Sequence, residues 1–165
     1  MMYAFPMSLV ERTAVRAILL TPDKEVLLMR IRNPVTHMEF WICPGGGLQG
    51  AETFEEGLKR ELKEELGLTR VEARHQVHRR HHTFNWKDQR ISQGETFFIV
   101  GVEKFEPKIT DEVEAEVLQE FRWWPLHELD ATKYPITPRK LKQIVQGYLE
   151  LGPPKGPLEV DVSVD

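Results

Sequence analysis

The segment that runs from a triple glycine into a capped helix constrains the fold of this 165-residue chain most strongly. Glycine has no Cβ, so residues 45–47 allow backbone groups to approach a ligand closely. Thr53 and Glu56 fit a capping box, and Gly67 is typical of a helix C-cap. The apolar residues between them repeat every four positions, at Phe54, Leu58 and Leu62. A glycine loop followed by a helix over residues 53–66 is therefore predicted.

The rest of the chain mixes strand and helix patterns. Strands are predicted over residues 12–20, 25–31, 39–43, 95–102 and 118–124. Residues 71–84 predict a strand followed by a mobile loop, residues 85–94 a loop that shapes specificity, and residues 138–151 a C-terminal helix. Because the elements do not alternate strictly, we expect an α+β fold, an α/β/α sandwich with a mixed sheet between helices.

The last fourteen residues differ in composition from what precedes them. Residues 152–157 are rich in proline and glycine, which is typical of a linker. Residues 158–165 alternate valine or leucine with polar residues, which is strand periodicity. We therefore predict a single domain over 1–151 and a tail over 152–165. The tail is expected to add an edge strand to its own sheet or to a partner subunit, or else to fray.

Composition excludes several classes of protein. The chain has 22 Lys and Arg against 26 Asp and Glu, a net charge of −4, which argues against nucleic acid as a partner. Cys43 is the single cysteine, so no intrachain disulfide can form and a cytoplasmic location is expected. No apolar stretch approaches the length of a membrane span, so no membrane partner is expected.

Three glutamates on the predicted helix are the main candidates for chemistry. Glu61 lies one turn from both Glu64 and Glu65, and like charges at this spacing repel each other. One interpretation is a solvated acidic face, which nearby Lys and Arg residues relieve. The other is a site for a hard cation such as Mg²⁺, which binds carboxylate oxygens and shares itself with substrate phosphates.

Residues 46–68 resemble the Nudix box, the signature of hydrolases that act on nucleoside diphosphates linked to another moiety. Every defined position of that pattern is filled: Gly46, Glu52, Arg60, Glu61, Leu62, Glu64, Glu65, Gly67 and Leu68. The box covers 23 residues, and residues 121–129 resemble the family's final core strand running into a short helix. The rest of the chain resembles the family more loosely.

The resemblance implies a divalent metal cofactor, Mg²⁺ with Mn²⁺ as the alternative. By position in the box, the metal ligands would be Glu61, Glu64, Glu65 and the backbone carbonyl of Gly45. Arg60 would pair with box glutamates such as Glu52 and orient them.

Two positions for the general base stay open. Family members use either a box glutamate, for which Glu64 is the first candidate, or a glutamate from a loop outside it. In the acidic run at residues 111–120, Glu112 and Glu120 are the alternatives, and Glu95 at the start of a strand is another.

Substrate contacts are expected outside the box. Arg80 lies in a basic stretch and could bind phosphate, while Phe84 and Trp86 could stack on a nucleobase. The substrate would be a small nucleotide: a nucleotide sugar, ADP-ribose or a nucleoside triphosphate. The alternatives are a non-catalytic nucleotide-sensing module and an RNA cap or RNA end processing enzyme. A homodimer is expected from the resemblance and from the alternating tail.

Overall fold

A computed structural model describes residues 8–108 and 116–165. Within these residues, nine strands form one sheet. The strands are β1 (Ser8–Leu20), β2 (Glu25–Arg32), β3 (Glu39–Ile42), β4 (Gly45–Gly47), β5 (His75–Trp86), β6 (Gln89–Gly101), β7 (Leu118–Pro125), β8 (Ile136–Thr137) and β9 (Val160–Val164). The helices are α1 (Phe54–Leu66), α2 (Leu141–Leu151) and a 3₁₀ helix at Leu126–Ala131.

The sheet is mixed, as predicted. Its order is β8-β3-β2-β1-β6-β5-β9, with β4 paired to β1 and β7 paired to β2. The β1–β6, β3–β8 and β5–β9 pairs are parallel, and the other pairs are antiparallel. The central parallel pair runs from Ser8↔Gln89 to Leu20↔Gly101.

Each face of the sheet has its own apolar core. On one face, the buried residues of α1 pack against Val15, Ala17 and Leu19 of β1. On the other, Leu141 and Val145 of α2 pack against Ile18 and Leu20 of the same strand. Because successive side chains of a strand point to opposite faces, β1 contributes to both cores. The result is the predicted α/β/α sandwich.

The structure corrects the expectation of a loop at residues 85–94. β5 and β6 instead form one long hairpin, and only Lys87 and Asp88 lie outside the two strands. Lys87 has a φ of +56°, which allows this short turn. The helix predicted from residue 138 begins three residues later, at Leu141, whose N–H donates to the Pro138 carbonyl.

The C-terminal tail forms an edge strand of its own sheet, so the frayed alternative is wrong. β9 pairs with β5 from Arg79↔Val160 to Thr83↔Val164. The Asp165 carboxylate lies 2.8 Å from His82 Nε2 and helps to hold the strand. The division into a domain at 1–151 and a tail at 152–165 stays a prediction. In the two described ranges, no helix has the length and apolar character that crossing a membrane requires.

Candidate metal and catalytic site

The three glycines of β4 bring the backbone against two neighbouring elements. Gly45 has a φ of +142°, and a Cβ there would lie 2.1 Å from the Val15 carbonyl oxygen of β1. At Gly46, a Cβ would lie 2.7 Å from the carboxylate carbon of Glu61. Any side chain would therefore push β4 away from β1 or displace the Glu61 carboxylate. The glycines thus allow a close approach of β4 to β1 and to Glu61, and the predicted approach to a ligand stays a prediction.

Helix α1 is fixed so that its acidic turn faces β4. The capping box is present, since the Thr53 hydroxyl accepts from the Glu56 N–H and the Glu56 carboxylate accepts from the Thr53 N–H. Gly67 caps the other end with a φ of +68° and donates to the carbonyls of Leu62 and Lys63. The apolar stripe of α1 is buried against the sheet, at Leu58, Leu62 and Leu66.

Arg60 connects the glutamates of the site. Its Nε lies 2.7 Å from Glu52 Oε2, and its Nη1 lies 3.0 Å from Glu61 Oε1 and 3.1 Å from Glu64 Oε2. Its Nη2 also donates to the Gly47 carbonyl at 3.0 Å. The hydrogen bond to Glu52 is the main cause that raises the pKa of Arg60 and lowers that of the Glu52 carboxyl. The predicted pairing of Arg60 with Glu52 is confirmed.

Glu65 lies against both β4 and Glu61. Its Oε1 accepts a hydrogen bond from the Gly45 N–H at 3.2 Å. Burial, together with the hydrogen bond to Glu61, raises the pKa of Glu65 well above its usual range. Two carboxyl groups in contact need a proton or a cation between them, because two neighbouring negative charges repel each other.

The donor set fits a hard divalent cation. Carboxylate and carbonyl oxygens are the ligands that Mg²⁺ and Mn²⁺ prefer, and Glu61, Glu65 and the Gly45 backbone supply them within one small region. In residues 8–108 and 116–165, no three His, Cys, Asp or Glu side chains converge closely enough to hold a metal as they stand.

The candidate bases outside the box have different positions. Glu112 lies outside the described residues. Glu120 has an oxygen 3.7 Å from Arg30 Nε. Glu95 is buried, with a side chain 2% exposed. Burial alone would raise the pKa of Glu95, but the charges of Arg16 and Arg80 lower it.

The predicted substrate-contacting residues lie on β5. Arg80 is buried and donates to Glu95 at 2.8 Å and to the Thr137 hydroxyl. Phe84 is half-buried, with its ring centroid 4.7 Å from that of His82. Trp86 is half-buried at the turn of the β5–β6 hairpin.

The structure also contains a buried network of charged residues that the sequence did not predict. Arg16 on β1, Glu95 on β6 and Arg80 on β5 are joined by ion pairs. A signal was present, because Arg16 and Glu95 stand within or next to apolar runs that were predicted to be strands. Charged residues in such runs need a partner when they are buried.

Comparison with known proteins identifies the family of this chain. The family model of the NUDIX domain matches residues 10–145. A protein named RNA pyrophosphohydrolase, from Marinomonas sp. (strain MWYL1), is 31% identical over 144 residues, which cover 75% of this chain and 89% of that protein.

Solved structures show the same fold at lower identity. A NUDIX hydrolase from Nitrosomonas europaea aligns with a TM-score of 0.64 and 22% identity, over 93% of this chain and 79% of that one. A MutT protein from Methanosarcina mazei Go1 aligns with a TM-score of 0.61 and 20% identity, over 85% and 94%. The family match over most of the chain shows that it belongs to the NUDIX family and is a Nudix hydrolase.

Proposed function

We propose that this Nudix hydrolase is a divalent-metal-dependent pyrophosphohydrolase. It would cleave the pyrophosphate linkage of a nucleoside diphosphate derivative by attack of water at phosphorus. The observation that carries the proposal is the contact of the Glu61 and Glu65 carboxyl groups with each other and with the glycines of β4. Such a carboxyl pair, next to a backbone carbonyl, suits a hard cation.

The proposed metal ligands are Glu61, Glu64, Glu65 and the Gly45 carbonyl. Mg²⁺ is the proposed ion and Mn²⁺ the alternative. When bound, the ion supplies positive charge that offsets the negative charge of the pyrophosphate oxygens. Members of the family generally use a divalent metal, and the donor set here is consistent with that.

Glu64 is the proposed general base. Its side chain is 38% exposed, more than those of Glu52 and Glu61, so solvent can reach it. It takes a proton from the attacking water as the new O–P bond forms and the bridging P–O bond breaks. Arg60 holds the Glu64 carboxylate at 3.1 Å and thereby orients it. Glu112 stays the candidate base outside the box.

The proposed substrate is a nucleotide sugar, ADP-ribose or a nucleoside triphosphate. Phe84 and Trp86 are proposed to stack on the nucleobase, because both rings are only half-buried. Arg80 is proposed to bind phosphate through its positive charge. Since its guanidinium also bonds to Glu95 and Thr137, its orientation is preset.

A second candidate substrate is the 5′ end of an RNA. This hypothesis is favoured by the relative from Marinomonas, which is named an RNA pyrophosphohydrolase. The net charge of −4 opposes it, because binding to an RNA backbone draws on lysine and arginine.

We also propose a cytoplasmic location and a homodimer. The only cysteine, Cys43, is buried and its thiol pKa is raised to about 12 by burial, which is consistent with a structural thiol in a reducing compartment.

The dimer would form through the exposed edge strand β9.

A substrate panel tests the function. The purified chain with Mg²⁺ is given nucleoside triphosphates, ADP-ribose, nucleotide sugars and a 5′-triphosphorylated RNA. We expect metal-dependent release of the cleavage products from one class, and a loss of about 10²–10⁴-fold in turnover for Glu64→Gln. Glu55→Gln is the matched control, since Glu55 lies on the same helix, is exposed and pairs with Lys59.

The panel also separates the alternatives. Turnover that Glu64→Gln leaves unchanged would move the base outside the box, to residues such as Glu112. Binding of one nucleotide without turnover would instead support a nucleotide-sensing module. Cleavage of the RNA and of no other substrate, with activity that falls strongly as the salt concentration rises, would support the 5′ end of an RNA as the substrate.

A further inference from the structure

We propose that Arg16 is a positioning residue that holds the glycine segment, residues 43–47, in the geometry the metal site needs. The inference rests on the proposed function. It adds two residues outside the box, Arg16 and Glu95, to the groups on which the site depends.

Arg16 bonds to the glycine segment through two carbonyls. Its Nη1 lies 3.3 Å from the Cys43 carbonyl oxygen and 3.2 Å from that of Gly45. The backbone of Gly45 is therefore held at both of its polar groups, since its N–H donates to Glu65 at 3.2 Å. A carbonyl oxygen has two lone pairs, so it can accept from Arg16 and still face a cation.

Glu95 fixes the guanidinium of Arg16. Its Oε2 accepts from Arg16 Nε at 3.1 Å, and its Oε1 accepts from Arg80 Nε at 3.2 Å and Nη2 at 2.8 Å. Both carboxylate oxygens are used, and the side chain is 2% exposed. Arg80 in turn donates to the Thr137 hydroxyl, so the network extends from the glycine segment to β8.

Stability alone is a poor reason for this network. Burying charged groups carries a desolvation cost that their mutual attraction only partly offsets, and an apolar cluster of the same volume often serves stability as well. The network also contacts the glycine segment through its backbone, since Arg16 donates to the carbonyls of Cys43 and Gly45. An apolar side chain of the same volume could not make these bonds, so Arg16 can fix the backbone where apolar packing could not.

The test measures metal binding without turnover. Mn²⁺ is titrated into the purified full chain, and the free ion is followed by its electron paramagnetic resonance signal. We expect Arg16→Met to weaken Mn²⁺ binding by roughly 10–100-fold, the range typical of groups that orient metal ligands. Arg79→Met is the matched control, because Arg79 is exposed and lies next to Arg80 on the same strand.

A double variant tests the role of Glu95. If Glu95 acts by holding Arg16, Arg16→Met with Glu95→Gln binds Mn²⁺ no more weakly than Arg16→Met alone. Additive losses would mean that Glu95 acts on the metal site independently, which would overturn its assigned role.

Thermal unfolding of each variant separates positioning from a loss of fold. If Arg16→Met does not fold, Arg16→Lys carries the test, because an ammonium keeps the charge but cannot bridge Glu95 and two carbonyls. A folded variant at position 16 that binds Mn²⁺ as tightly as the wild type would overturn the inference, as would an equal loss in Arg79→Met.

The two proposals fail in different ways. If the wild-type chain binds no Mn²⁺ and hydrolyses none of the substrates of the panel, the proposed function is wrong. If the wild type binds Mn²⁺ and depends on Glu64, but not on Arg16, only the positioning role is wrong.

Discussion

Gly46 lies where the Glu61 carboxylate packs against the backbone of β4. An alanine Cβ would come within 2.7 Å of that carboxylate, whereas the backbone φ of Gly46 is not in the left-handed region. We therefore expect Gly46→Ala to fold normally, with a change in the free energy of unfolding below about 1 kcal/mol. Because Glu61 must move, turnover should fall by roughly 10–100-fold.

The matched control for this prediction is Gly94→Ala. A Cβ at Gly94 has no atom within 4 Å, and its φ is not in the left-handed region either. Steady-state kinetics and urea unfolding of both variants give the comparison. Full activity in Gly46→Ala would show that the position of Glu61 is not critical.

Arg60 donates to acceptors on four residues, which a lysine could not reach at once. We expect Arg60→Lys to lower turnover by about 10–100-fold, because a single ammonium cannot replace a planar fork of donors. Arg74→Lys is the control, since Arg74 has a 61% exposed side chain and only a 3.7 Å contact with Glu72. If the two variants have equal turnover, orientation by Arg60 is not required.

At the scale of elements, α1 depends on its N-terminal cap. Thr53→Ala removes the hydroxyl that accepts from the Glu56 N–H, and we expect a loss of about 0.5–2 kcal/mol in the free energy of unfolding. Thr53→Ser keeps an accepting oxygen and should lose much less. Chemical denaturation measures both, and an unchanged midpoint for Thr53→Ala would contradict the role of the cap.

The elements that were predicted correctly have local signals. The helix at 53–66 has a cap at each end and an apolar repeat, so its prediction needed no distant contact. The β5–β6 hairpin was only partly predicted, because the residues of β5 are mostly His, Arg and other polar types and lack a clear apolar alternation. The contact between Arg16 and Glu95 joins residues 79 apart, and its partners depend on sheet register.

Strand β9 presents an exposed apolar row at the end of the sheet order. Val160, Val162 and Val164 are 46%, 66% and 67% exposed. If a second copy pairs with this edge, Val162→Lys should dissociate the dimer, because a charge on an edge strand opposes such pairing. Leu151→Lys is the control, since Leu151 is 81% exposed on α2.

Sedimentation of the wild type and both variants gives the mass of each. A wild-type monomer would remove the dimer proposal. A Val162→Lys variant that stays dimeric would place the interface elsewhere.

Across the whole molecule, the two faces of the sheet have separate tasks. The face covered by α1 holds the Nudix box against β4, and the face covered by α2 holds the second apolar core. Arg16 of β1 bonds to the Gly45 carbonyl of β4, so the central strand connects the fold to the site. The chemistry of the box could be inferred from its residues alone, whereas this connection required the three-dimensional register.

The pH dependence of stability also belongs to the whole molecule, because His78 joins the core of the sheet to the tail. Its ring centroid lies 5.5 Å from that of Phe97, and its Nε2 lies 3.6 Å from Asp161 of β9. Burial is the main cause that lowers the pKa of His78. The positive charges of Arg80 and Lys140 lower it further, whereas the negative charge of Asp161 raises it in part. The folded chain therefore favours the neutral imidazole.

The sign of the effect follows from this shift. As the pH falls below about 6.5, the imidazole takes up a proton in the unfolded chain before it does so in the folded one. The stability that His78 contributes is present above that pH and is lost as the pH falls through the folded-state pKa. Urea unfolding between pH 7.5 and 5.5 should show this loss in the wild type, with a slope of at most about 1.4 kcal/mol per pH unit. His78→Phe, which keeps a ring beside Phe97 but has no proton to take up, should flatten the slope, and an equal slope in both chains would mean that other groups cause it.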